Sequence, residues 1–338
     1  MALLVALCIL VPAAVVWQRP APPPVALGRA GGTPVSILRR AGAWYWLEQT
    51  KKNGDRLMRA TSDGVKMISS AEELPRYAVE DGRLVWSARQ AGRWSILAAN
   101  SDGGEPRTLW SGTVEPMGLA LYDGRLYWLQ QVPAAVPDGD PFPPLSTSLE
   151  AFSLARDGGA VTSLGRIWEA GRAEVLGFHS GALYVAAYRL IRPGSLYIYR
   201  LMTNGAPAVR VVGESGNPPA LLTHAGVLYW LAPSQETLNA FRLRRLDDHE
   251  HTSIGQKAET LSDWLPDDGA LYETVRGVFY QDHQAQSALW PAGRQDVFPA
   301  STPVPAGYRV LAAGEDAMLL ASADSSFSSP TLYWSPLP

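Results

Sequence analysis

At 338 residues, with 46% hydrophobic and 18% charged residues, the chain has the composition of a packed globular protein and not of a disordered one. Its net charge of −3, with Lys and Arg scattered along the chain, supplies no field for a polyanion, so nucleic acid is excluded as an expected partner. The length admits one large repeat fold or two ordinary domains.

In chain order, the first feature is Ala2 to Trp17, ALLVALCILVPAAVVW, which carries no charge. It has the length of a signal-peptide core and falls slightly short of the ~20 residues of a spanning helix. No Lys or Arg precedes it, and Pro12-Ala13-Ala14 leads into further apolar residues and not into a clean cleavage site. Leu7 is bulky where a lipoprotein site before Cys8 wants a small residue, so the thiol is read as buried in lipid or lost with a cleaved peptide. The preferred reading is an N-terminal anchor over 1–17, with residues 2–17 in the membrane and the rest of the chain periplasmic or extracellular. Cleavage would make it a secreted protein. Gln18–Pro24, QRPAPPP, reads as a short, stiff spacer, and 25–338 as the folded domain. That body contains no cysteine, so its core and topology must hold it without disulfides.

An aromatic or apolar pair then recurs through the chain: Tyr45-Trp46, Val85-Trp86, Tyr127-Trp128, Tyr184-Val185, Tyr229-Trp230, Phe279-Tyr280 and, faintly, Leu319-Leu320. The intervals run from 40 to 57 residues. Each unit repeats one order of parts. A short apolar strand such as PRYAVE (75–80) or LALY (119–122) leads into a turn: Asp81-Gly82, Asp123-Gly124, Ser180-Gly181 or Ala225-Gly226. There Gly accepts the positive φ of a tight hairpin. The strand with the pair follows, then a third such as RWSILAAN (93–100), LEAFSLA (149–155), SLYIYRL (195–201) or NAFRLRRL (239–246). A second turn leads to a short fourth strand: VKMIS (65–69), PRTLWSG (106–112), VTSLGR (161–166) or HTSIGQ (251–256). Period-two alternation with frequent turn signals makes the chain all-β. A sandwich would not repeat its turns in register, whereas a β-propeller of four-stranded blades repeats every ~40–50 residues, and seven units are counted.

The seventh unit, 307–338, holds three strands, GYRVLAA, AMLLASA and TLYWSP, and lacks a fourth. PPVALGRAG (Pro23–Gly31) precedes the first unit, has no partners within it, and resembles the fourth-strand phrases. The prediction is that Val25 to Arg29 pairs with the C-terminal strand and closes the ring, removing unpaired edges.

The phrases AWYWLE (43–48), GRLVWS, GRLYWL and GVLYWL, with their turns, resemble the YWTD-type repeat. They are also similar to bacterial repeat families of unknown function (the DUF5050 type) and to TolB-like propellers. The resemblance spans about 37–338 and implies binding of proteins or scaffolding. Two departures stand against it. Leu47-Glu48, Leu129-Gln130 and Leu231-Ala232 occupy the place of Thr-Asp, and those rings are typically six-bladed.

Candidate chemistry is sparse. Asp247–His251, DDHEH, offers His249 and His251 on one face of an extended strand as the metal candidates. It stands where other units carry a turn, and a solvated polar turn is the preferred reading. His179 and His224 take one register with Glu80 and Tyr122, just before the first turn of their units, which suggests polar residues near the axis or hydrogen bonds between blades. Neither a G-x-S-x-G elbow nor a phosphate-cradling loop is present. Trp168 and Trp264 fall in loops after fourth strands, 166–174 and 257–269, on the face shared with the insert 132–148. Trp168, Glu169, Trp264, Asp267, Asp268, Asp138, Asp140 and Phe142 therefore form the candidate ligand-binding patch. The sequence favours a non-catalytic binding or scaffold module for a protein or polymer. The alternatives are a hydrolase or lyase using carboxylates or a metal near the ring axis, and an envelope assembly part that docks through blade edges.

Overall fold

The computed structural model describes residues 22–50, 54–133, 148–167, 172–179, 181–188, 195–204, 206–215, 221–224, 227–233, 240–247, 259–266, 270–274, 277–281, 288–291, 302–324 and 328–337. After β1 (Val25–Arg29), strands β2 (Thr33–Arg40), β3 (Ala43–Gln49), β4 (Asp55–Thr61) and β5 (Gly64–Ala71) pair antiparallel in chain order. The second sheet is β6 (Glu73–Glu80), β7 (Arg83–Gln90), β8 (Arg93–Asn100) and β9 (Arg107–Gly112). The third is β10 (Met117–Tyr122), β11 (Arg125–Val132), β12 (Ser148–Ala155) and β13 (Thr162–Ile167). The fourth is β14 (Arg172–His179), β15 (Ala182–Tyr188), β16 (Ser195–Met202) and β17 (Val209–Ser215).

The next sheet holds β18 (Leu221–His224), β19 (Val227–Pro233), β20 (Ala240–Asp247) and β21 (Glu259–Pro266). It is followed by β22 (Ala270–Thr274), β23 (Gly277–Gln281), β24 (Ala288–Pro291) and the two-residue β25 (Thr302–Pro303). Last come β26 (Tyr308–Gly314), β27 (Ala317–Ser322) and β28 (Thr331–Pro336), whose fourth position is filled by β1. The first strand of each sheet lies against the first strand of the next, and β26 lies against β2.

Between sheets, the recurring aromatic pairs do the packing. Trp44, Trp46, Trp86 and Trp128 are all but inaccessible, and Tyr45 and Tyr127 are buried with them. Trp44 and Trp46 pack with Ala312, Leu319 and Leu332 across the junction of the last and first sheets. Tyr45 and Trp86 share a cluster across the next junction, and Val85 and Trp128 share another across the one after. Large flat side chains suit this interface because each buries much apolar area on a pleated surface. Phe178 of β14 stacks on Tyr122 at 4.2 Å and reaches Tyr127 at 4.9 Å, joining the third and fourth sheets.

The expected closure is present. β1 pairs antiparallel with β28 in the register Val25↔Trp334, Ala26↔Tyr333, Gly28↔Leu332 and Arg29↔Thr331, with a bulge between Ala26 and Gly28. The Ala30 amide then donates to the Pro330 carbonyl at 2.9 Å. The chain passes into the first sheet over Glu48, which is buried to 1% exposure. Both Glu48 oxygens lie 3.2 Å from the Gly31 amide, and Oε1 also accepts from Trp46 Nε1 at 3.2 Å. A Cβ at Gly31 would stand 2.8 Å from Arg56 Nη1, and one at Gly32 only 2.6 Å from the Gln49 carbonyl oxygen. The Arg56 tip can swing aside, whereas the Gln49 backbone cannot, so Gly32 is what lets the chain cross here.

One strand position differs from the sequence reading. The fourth strand of the fifth sheet is β21 and not 251–256, with Ala240↔Pro266, Phe241↔Leu265 and Arg245↔Glu259 setting the register. Residues 251–256 offer Ile254 as their one large apolar side chain, whereas 259–266 offer Leu261, Trp264 and Leu265. Two register shifts along β20 accommodate the longer partner. Trp264 consequently stands on a strand and not in the loop after it.

Two stability predictions follow from the closure. A chain beginning at Gly32 will melt at lower temperature and with a broader transition than one beginning at Ala21, because β28 is left as a bare edge. Glu48→Ala will lower the unfolding free energy by about 1–3 kcal/mol in denaturant titration, since the buried Trp46 indole and the part-buried Gly31 amide lose their acceptor. Glu48→Gln, which keeps one acceptor oxygen, will lose less.

Candidate functional site

The hairpins joining first to second strands all close in one register. Arg40↔Ala43, Glu80↔Arg83, Tyr122↔Arg125, His179↔Ala182, His224↔Val227, Thr274↔Gly277 and Gly314↔Ala317 are the last pairs before each turn. These residues therefore stand at one end of their sheets, as the sequence suggested for Glu80, Tyr122, His179 and His224. Three of the turns that follow are left-handed at both positions: Ala41 and Gly42 at φ 49° and 73°, Asp81 and Gly82 at 47° and 70°, Asp123 and Gly124 at 46° and 67°. This is the type I′ geometry matched to strand twist, for which Asp-Gly is favoured. The same requirement that makes a tight hairpin thus plants carboxylates at this end.

Here a cavity of about 580 Å³ opens between the first strands. Leu38, Ala78, Val79, Leu119 and Leu121 supply apolar wall, and Arg40, Tyr77, Glu80, Asp81 and Glu315 supply polar groups. Several of the polar groups are already engaged. Glu315 accepts from the Ala41 amide at 2.8 Å and the Gly42 amide at 3.2 Å, tying the last sheet to the first hairpin. Beside it Asp316 accepts from Arg39 Nε at 2.8 Å, and the Arg39 guanidinium lies 5.3 Å over Trp44. The Tyr77 hydroxyl is tucked against the carbonyls of Ser36 and, at 2.8 Å, Tyr45. Burial, and then Tyr45, hold this phenol well above its ordinary value of 10, against Arg40 and a hydrogen bond with the Leu38 backbone. Tyr77 is a clasp between the first two sheets and stays protonated.

Glu80 differs. Its half-buried carboxyl is pushed from 4.5 up to about 6, first by desolvation, then by Asp81 and more weakly by Asp123, with Arg40 opposing. Such a group exchanges its proton near neutrality, so it can serve as an acid or base or, once ionised, hold a cation. Among the described residues, no three His, Cys, Asp or Glu side chains are grouped to hold a metal ion. His249 and His251 lie outside the described residues.

Asp138, Asp140, Phe142, Trp168, Glu169, Asp267 and Asp268 also lie outside them, and for Trp264 the strand position in β21 is what is described. The roots of their segments are described. Val132 pairs with Ser148, so the insert between them leaves and returns at one end of the third sheet. Leu149 pairs with Ile167, which puts the start of 168–171 at that same end. In the fifth sheet Ala240 pairs with Pro266, rooting 267–269 at the corresponding end. This is the end opposite the first hairpins. The cavity around Glu80 was not read from the sequence, although the repeated Asp-Gly turns beside a register-matched Glu80 were its visible signal.

Four-stranded antiparallel sheets, packed through their first strands and completed by the N-terminal strand, are the architecture of a β-propeller. Solved structures agree. The chain is similar to an oligogalacturonate lyase in complex with manganese, at 10% identity and TM-score 0.58, over 88% of this chain and 86% of that one. It is similar to an acylaminoacyl peptidase of Pyrococcus horikoshii at 12% identity and TM-score 0.58, over 91% of this chain but 52% of that chain, about half its length. The β-propeller domain of the Trilobed protease from Pyrococcus furiosus matches at 9% identity and TM-score 0.57, over 90% and 95% of the two chains. That domain has an open velcro topology, whereas here β1 completes the last sheet. At these identities the likeness shows the fold alone. No family model and no curated protein matches the chain.

The raised Glu80 value fixes a sign. Protonation of Glu80 is easier in the folded than in the unfolded state, so its contribution to stability is greatest below about pH 4.5 and is lost as pH rises through about 6. Glu80→Gln will therefore be slightly more stable than the parent above pH 6, by less than ~1 kcal/mol because solvent screens this half-exposed group. The difference will vanish near pH 4.5 in paired denaturant titrations.

Proposed function

We propose that the chain is a non-catalytic binding or scaffold module built as a closed, seven-bladed ring over residues 25–338. In this reading residues 2–17 anchor it to a membrane, 18–24 space it from the surface, and the ring stands outside the cytoplasm. Its ligand is a protein or polymer, bound where the repetition fails: 132–148, 166–174 and 257–269. The observation that carries the reading is the common rooting of these segments. Val132↔Ser148, Leu149↔Ile167 and Ala240↔Pro266 put their bases at the same end of two sheets of one ring. Of the three, the insert between β11 and β12 is a long loop, whereas β13–β14 and β21–β22 are joined by the short connections 168–171 and 267–269; a long loop held by a rigid frame is the usual place for recognition. Trp168, Trp264 and Phe142 would supply contact area, and Asp138, Asp140, Glu169, Asp267 and Asp268 a preference for cationic partners. Among the described residues no helix is long and apolar enough to cross a membrane, and the proposed anchor lies outside them.

One observation favours a second reading, a hydrolase or lyase working near the axis: the Glu80 carboxyl, pushed up to about 6 at the rim of a cavity. Capture from the native envelope by the purified protein tests the first. A Trp168→Ala, Trp264→Ala double variant that melts like the parent will lose its partner if the insert end binds it. Undiminished capture by that variant moves the binding surface elsewhere.

A further inference from the structure

The insert end is not the only place where this ring can hold a ligand. We propose that the axial cavity at the hairpin end is a second, independent binding site, for a small molecule that carries an ammonium group on a short apolar body.

Size and lining set the ligand class. A cavity of about 580 Å³ is of small-molecule size. Its wall includes Leu38, Ala78 and Leu121, which are only partly buried, so an apolar body displaces water from them favourably. Charge sets the head group. The engaged polar groups, Tyr77, Glu315 and the Arg39–Asp316 pair, have their partners within the ring. Glu80, Asp81 and Asp123 do not: among the described residues no hydrogen bond or ion pair holds their carboxylates.

They come from two neighbouring hairpins, and both Asp81 and Asp123 act electrostatically on Glu80. The cation facing Glu80 from β2 is Arg40. On its own hairpin, Arg83 donates to Asn100 at 2.9 Å and lies 3.9 Å from Asp157, and on the next, Arg125 donates to Ser153 at 2.9 Å. Of the charged side chains that line the cavity, Glu80, Asp81 and Glu315 are acidic and Arg40 is basic, so the lining is negative once Glu80 ionises. A ligand ammonium there relieves the repulsion and offsets the cost of a partly desolvated charge. A guest anion meets the opposite balance. Binding of the cation and loss of the Glu80 proton are therefore linked, so the site fills as pH rises through about 6.

The test uses the full-length protein with phenethylamine as probe, and phenethyl alcohol and phenylacetate as neutral and anionic counterparts, by calorimetric titration. Saturable binding of phenethylamine at pH 8 is expected, weaker by about ten-fold or more at pH 5 and for both counterparts at pH 8. Glu80→Gln should lose about ten-fold at pH 8 and with it the pH dependence. Asp81→Asn, which keeps a side chain tolerant of the left-handed turn, should weaken binding without touching the fold. The Trp168→Ala, Trp264→Ala variant should bind the probe like the parent, which separates this site from the insert end. Absence of saturable phenethylamine binding at pH 8, equal binding of phenethyl alcohol, or unchanged affinity in both Glu80→Gln and Asp81→Asn would overturn the proposal.

Discussion

The pairing of β1 with β28 is the contact on which the rest of the structure depends. It joins residues some three hundred positions apart and converts a row of sheets, each packed only on its neighbours, into one in which the last sheet is completed by the first residues of the folded domain. Without it β28 would present a row of unpaired backbone groups to solvent. The chain has no cysteine beyond Cys8, so no disulfide can share the task. Glu48 is the polar counterpart of this pairing. Buried beneath the crossing at Gly31, it satisfies the Gly31 amide and the Trp46 indole, and so fixes how β1 hands over to the first sheet. Trp86 and Trp128, the counterparts of Trp46, have no hydrogen-bond partner for their indole nitrogens among the described residues. Glu48 is thus an acceptor placed where the closing strand, having completed the last sheet, hands over to the first.

Closure also fixes the axis, and the axis is where local turn chemistry acquires a collective effect. Asp81 and Asp123 are there because a two-residue hairpin needs φ above zero and Asp tolerates it. In an isolated hairpin each would be a solvated carboxylate of no consequence. With Asp81 lining the cavity beside Glu80 and Asp123 acting from the next hairpin, they make proton release from that residue harder, while Glu315 accepts from the amides of a neighbouring hairpin. The two ends of the ring thus differ in kind. The hairpin end is tight, repetitive and charged, and the other end roots the long insert between β11 and β12.

Much of this was legible beforehand. Arg93–Asn100 is a strand with the bounds its alternation suggested, and Val25–Arg29 pairs with TLYWSP as the missing fourth strand required. Both signals are local: period-two burial and a turn residue at each end. The fifth sheet was misread in its fourth strand because HTSIGQ and ETLSDWLP compete for one partner. That contest is decided by pairing against β20, with its two register shifts, and no local pattern records it. The role of Glu48 was equally hidden, since a single acid after an aromatic pair says nothing about a glycine amide passing above it.

The sequence by itself determined the repeat, the hairpins, the all-β class and the closing strand, because backbone geometry and burial period are written residue by residue. Tertiary structure decided which charges share an environment. Arg40, Glu80, Asp123 and Glu315 come from four hairpins, and their mutual influence falls with distance in space and with the water left between them. Neither quantity exists until the ring is assembled.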